Sequence, residues 1–71
     1  KLFVFERPGN YGFSMKDMNY SHDIIWIDST MKIVGIASGV DPQSYPKVFY
    51  PPTDVLYVLE VRSGLSTGLK K

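Results

Sequence analysis

The chain contains no cysteine, and among its 71 residues there is one histidine and one tryptophan. Without cysteine, neither a disulfide framework nor a thiolate metal site can hold so small a fold together, and redox chemistry assigns no compartment. No charge of one sign dominates. Eight Lys and Arg stand against seven Asp and Glu, for a net charge of +1. The basic residues are scattered, apart from Lys70 and Lys71 at the end. Such a distribution offers no stripe that would track a nucleic-acid backbone. Long apolar runs are also missing: nothing approaches the roughly 18 residues of a membrane-spanning helix. Gly9 and Gly12 sit in a turn between strands with no helix following, so no glycine-rich phosphate loop is present.

What the chain does have is apolar and aromatic residues: 44% are hydrophobic, and four Phe, five Tyr and one Trp are aromatic. That is the composition of a globular core rather than of a disordered segment. At this length the chain is one domain, residues 1–71, and folding buries only about 60% of the surface an unfolded chain exposes.

The periodicity is that of β-structure nearly throughout. Leu2 to Phe5 is a short apolar run stopped by Glu6, Arg7 and the turn-forming Pro8-Gly9-Asn10. Tyr11, Phe13 and Met15 then alternate with Gly12, Ser14 and Lys16, the two-residue period of a strand with one packed face and Lys16 outside. Asp23 to Ile27 and Lys32 to Ala37 are β-branched runs joined by a connection short enough for a hairpin. Ser38 to Asp54 holds four of the five prolines and reads as a long irregular connection with extended pieces. Val55 to Val61 is the strongest strand, with Val55, Tyr57, Leu59 and Val61 on one face and Leu56, Val58 and Glu60 on the other. Ser63 to Leu69 allows a helical turn or two, limited by its two glycines. Five strands and almost no helix predict an all-β fold, a small antiparallel sandwich or partly open barrel with at most a short helical turn near the C-terminus.

The chemistry-bearing residues cluster between Lys16 and Asp28. Ser21, His22 and Asp23 carry the letters of a hydrolase triad side by side. On an extended chain, however, His22 points away from its two neighbours, and a working triad needs the imidazole between the other two groups. A metal site built from His22 with Asp17, Asp23 and Asp28 matches no ligand spacing, so no metal or cofactor is expected. Asp23 and Asp28 are five apart and face opposite sides of a strand, which argues against a shared proton. Asp23 and Lys16 could pair across neighbouring strands. Trp26 reads as a core or face aromatic, because no basic patch accompanies it. The segment YPKVFYPP, with Tyr45, Phe49 and Tyr50 between prolines, either closes over the sheet as a lid or offers an apolar binding surface.

The order of these segments resembles the uncharacterised family known as domain of unknown function 192. Its pattern runs through an apolar strand, a proline turn, an F-W-M-K-N block, a P-x-D-I-I-F-I-D block and an R-Y-V-L-E-V block before a small-residue-Gly pair. Phe13, Met15 and Lys16 match the first block, Asp23, Ile24, Ile25, Ile27 and Asp28 the second, and Tyr57 to Val61 with Gly64 the last. The departures are Ser14 for Trp, Asp17 for Asn and Ser21 where proline is common. The resemblance covers essentially the whole chain and implies a compact all-β domain with no established activity. It also implies an internal fragment, truncated at both ends, whose exposed edge strands would favour self-association.

Two functional readings follow. One is a non-enzymatic binding or accessory domain recognising a peptide, glycan or small ligand through Phe13, Met15, Lys16, Asp17, Asp23, Tyr45 and Tyr50. The other is a small hydrolase or metal-dependent enzyme using the Lys16, Asp17, His22 and Asp23 cluster, which requires His22 and a carboxylate to converge. With aromatic and proline-rich surface present and no acid-base pair evident, the residues favour the first.

Overall fold

A computed structural model describes residues 1–64 of the chain. Its strands are β1 (Leu2–Gly9), β2 (Phe13–Ser14), β3 (His22–Ile27), β4 (Ile33–Val40), β5 (Val48–Phe49) and β6 (Val55–Arg62), with one 3-10 turn at Pro42–Ser44. The fold is all-β. β1, β6, β3 and β4 form an antiparallel sheet in that order, and β2 with β5 forms a two-stranded antiparallel ribbon. The two layers make an open sandwich rather than a closed barrel.

The near-continuous apolar run in β3 is explained by its place. It lies between β6 and β4 inside the sheet, where both faces of a strand select apolar residues. Register then assigns each side chain to a face. Phe3, Val58, Trp26 and Gly35 form one row across all four strands, and Glu60, Ile24 and Ala37 lie on the same inner face. Leu2, Leu59, Ile25 and Ile36 form a row on the outer face.

The core lies against the inner face. Ile24, Trp26, Val40, Val55 and Val58 are buried there with Met15, and Phe3, Phe5, Tyr11, Phe13 and Phe49 pack around them. Burying a large apolar side chain contributes about 1.5–3 kcal/mol relative to leaving it exposed, so this cluster is the main source of stability.

Several boundaries differ from the sequence expectation, each for a local reason. β1 does not stop at Phe5. It bulges between Val4 and Gly9 and resumes pairing at Gly9 with Val55, which lets Pro8 sit in an edge strand where its missing N–H is tolerated. Val55 therefore leaves the alternation and joins Val58 in the core, while Tyr57, Leu59 and Val61 share the outer face. The segment Tyr11 to Met15 directs its three alternate side chains at the core, but only Phe13 and Ser14 are paired. β4 runs on to Val40, and β5 is a strand within the connection read as irregular. The helical turn stands at Pro42–Ser44, with Asp41 capping it through Gln43 N at 2.8 Å. Of the helical turn expected over 63–69, residues 65–69 lie outside the described residues.

Candidate functional site

The ribbon and its flanking loops cover the inner face, and two glycines let them approach. At Gly12 a Cβ would stand 2.5 Å from the Tyr50 ring and 2.6 Å from Val48, so only a glycine lets that ring rest on the backbone just before β2. At Gly35, opposite Trp26, a Cβ would stand 2.9 Å from Pro52 and 3.2 Å from the indole. Asn10 Nδ2 donates to the Pro51 carbonyl at 3.0 Å and fixes the loop from the other side. Phe49 faces inward against the core. Outward, Tyr45 is 49% exposed, Val48 41% and Tyr50 60%. Three large apolar side chains within six residues thus make a ridge on a segment that is anchored from beneath.

Phe13 is half-buried and meets Phe3 edge-on, with ring centroids 4.9 Å apart. Met15 is fully buried. Lys16 and Asp17 are exposed at the centre of a turn in which Met18 N donates to Met15 O at 3.1 Å. Asp17 has φ +61°, a left-handed conformation that Asn and Asp tolerate better than most residues. The Asn of the family pattern suits the same backbone demand.

Asp23 is buried on the outer face. Its Oδ1 accepts from Gly39 N at 2.7 Å and its Oδ2 from Gly64 N at 2.9 Å. Lys16 belongs to the layer on the other side of the sheet, because β2 pairs with β5 and not with β3. A cross-strand pair of Lys16 with Asp23 is therefore not formed. His22 faces the inner side, and its Nδ1–H donates to the Tyr20 carbonyl at 2.7 Å. Its ring lies 5.8 Å from that of Tyr20, whose other neighbour is the Arg62 guanidinium at 4.5 Å. Ser21, His22 and Asp23 are consequently not in relay. Among the described residues no group of three or more His, Asp or Glu side chains is placed to hold a metal ion.

Asp28 closes the β3–β4 hairpin. Its Oδ1 accepts from Thr30 Oγ1 at 2.6 Å, Thr30 N at 2.9 Å and Lys32 N at 3.0 Å. The Thr30 hydroxyl first, and the backbone N–H of Lys32 next, hold its carboxyl below the usual value.

The sequence reading missed one pair of polar groups. Glu60 and Trp26 are buried on the inner face, and Glu60 Oε2 and Trp26 Nε1 have no hydrogen-bond partner among the described residues. The signal was present: a glutamate sharing a strand face with Val58.

No curated protein matches the chain. Among solved structures, a protein of unknown function from Novosphingobium aromaticivorans DSM 12444 has a similar fold, with a TM-score of 0.86 at 24% identity. The match covers 97% of this chain and 50% of that one, so this chain spans about half the length of its structural neighbour. At that identity the likeness concerns the fold alone. The model of the DUF192 family, described as Uncharacterized ACR, matches residues 2–70, and on that extent the chain belongs to this family of unknown function.

Proposed function

We propose that this chain is a non-enzymatic binding or accessory domain that recognises a peptide, glycan or small ligand through the surface of its cover layer. The observation that carries the reading is the Tyr45, Val48 and Tyr50 ridge, exposed on a segment whose Phe49 and Pro51 are held from beneath. Aromatic rings presented with little remaining freedom suit recognition, because little conformational entropy is lost on contact. The two-residue ribbon also leaves its outer strand edges unpaired among the described residues, which suits the backbone of an extended peptide. Lys16 and Asp17, exposed on the turn after β2, extend the surface, and Phe13 and Met15 support it from the core side. Asp23 contributes by tying β3 to the ends of β4 and β6.

The enzyme reading finds less support. His22 and Asp23 lie on opposite faces, and both Asp23 oxygens already accept backbone N–H groups.

The test is a titration of the chain against peptide and oligosaccharide libraries, followed by heteronuclear NMR. Binders should shift resonances of residues 45–50, and Tyr45→Ala, Tyr50→Ala or Lys16→Ala should weaken them with the fold intact. Binders insensitive to all three substitutions would place recognition elsewhere.

A further inference from the structure

Three buried side-chain atoms lack partners among the described residues, Ser44 Oγ and a complementary pair, Trp26 Nε1 and Glu60 Oε2. Trp26 Nε1 can only donate, and an ionised Glu60 carboxylate can only accept. The side chains are 4% and 5% exposed, and neither Nε1 nor Oε2 makes a hydrogen bond among the described residues. Trp26 is opposite Val58 and Ile24 is opposite Glu60, so the two are diagonal neighbours on β3 and β6, a spacing that long side chains span. Buried polar groups in native proteins are nearly always satisfied, so such a pair calls for a guest.

The surroundings narrow the guest's chemistry. Three positive groups flank Glu60: the Lys1 α-ammonium, which donates to the Glu60 backbone carbonyl at 2.6 Å, the Lys1 side chain just before β1, and Arg62 two residues along β6, the two side chains being engaged on aromatic rings. The Lys1 side-chain ammonium lies over the Phe3 ring at 4.9 Å, and the Arg62 guanidinium over Tyr20 at 4.5 Å. An added cation would satisfy Glu60 and leave the indole N–H unpaired, whereas an anion would satisfy the indole and oppose the carboxylate. One small group that both donates and accepts satisfies the two together, and between atoms so enclosed the smallest such group is a hydroxyl.

We propose that Glu60 and Trp26 form a buried site for a single hydroxyl group, which donates to Glu60 Oε2 and accepts from Trp26 Nε1. The hydroxyl comes either from a water molecule or from a sugar or polyol admitted beneath the β2–β5 cover, whose strands pair at two residue positions while its loop is anchored through Asn10 and Pro51. The site is distinct from the Tyr45 to Tyr50 ridge, so it stands or falls independently of the binding surface proposed above.

Trp26 is the single tryptophan, so its indole N–H gives one NMR resonance and its fluorescence reports one place. On the full chain, cross-relaxation from a long-lived water to the indole proton would identify water as the source. A saturable shift of that proton with glycerol or methyl glucoside would identify a sugar or polyol. Methylammonium and acetate should leave it unmoved. Either signal should survive Glu60→Gln, which keeps an acceptor, and be lost in Glu60→Leu. The proposal is overturned if neither signal is found, if methylammonium alone moves the resonance, or if the signal persists in a folded Glu60→Leu variant. The wild-type measurements decide the matter even if that variant does not fold.

Discussion

The two ends of β3 each carry an aspartate, and the two do different work. Asp23, at the start, is buried and joins segments far apart in sequence, Gly39 after 16 residues and Gly64 after 41. Asp28, just past the end, accepts three bonds, all from residues within four positions of itself. Both match the family pattern, and both are short carboxylates accepting N–H groups. The difference lies in what would be lost with each: at Asp23 a tertiary tie, at Asp28 one hairpin turn.

The largest expected effect tests that difference directly. A hydrogen bond to a charged group contributes about 1.5–3 kcal/mol, so Asp23→Ala should destabilise by about 3 kcal/mol or more in urea denaturation at pH 7. Domains have roughly 0.05–0.15 kcal/mol of stability per residue, so that loss is a large share of the total. Asp23→Asn, keeping one acceptor oxygen, should fall between. An Asp23→Ala loss no greater than that of Asp28→Ala would erase the distinction.

Next in size is Asp17, which shares with Asp28 a purely local role. Forcing a β-branched residue into its left-handed backbone should cost about 1–2 kcal/mol, so Asp17→Val should lower the urea midpoint while Asp17→Gly should not. Equal losses for valine and glycine would mean that the carboxylate, and not the backbone, matters there.

Asp28 should show its contribution through pH rather than through a large shift at neutrality. Its folded carboxyl titrates below the ordinary 3.8, so its stabilisation is complete above that value and is lost as the pH falls through the lower, folded one. Thermal melts from pH 7 to pH 2 should therefore show wild type and Asp28→Asn converging at the acid end. A gap between them that stays constant over this range would remove the assignment.

The smallest effect on stability is expected at Tyr45, half-exposed on the ridge. Tyr45→Ala should change the unfolding free energy by no more than about 0.5 kcal/mol. A much larger loss in unfolding experiments would make Tyr45 part of the core layer rather than of a surface for partners.

Strand existence was legible wherever apolar residues ran in twos or in a block, as in Asp23 to Ile27 and Val55 to Val61. Strand length was not. β1 extends past Phe5 because Gly9 finds Val55, and β5 exists because Val48 and Phe49 find Ser14 and Phe13, pairings between residues 34 to 46 positions apart. The separation of His22 from Asp23 was readable from the pleat. The cation–ring contact of Arg62 with Tyr20 was not, since it depends on β6 pairing beside the segment that leads into β3.

By itself the sequence determined the class of this protein: no cysteine and no charge bias, an all-β fold, a proline-aromatic segment after the central hairpin, and membership of a family with no assigned activity. Those properties are set by composition, by the two-residue period and by local turn chemistry, each confined to neighbouring residues. Only the tertiary structure decided that Asp23 is a buried tie, that Gly12 and Gly35 seat Tyr50 and Pro52, and that Glu60 and Trp26 face the same interior. These depend on strand order and register, in which a shift of one residue turns every side chain to the other face.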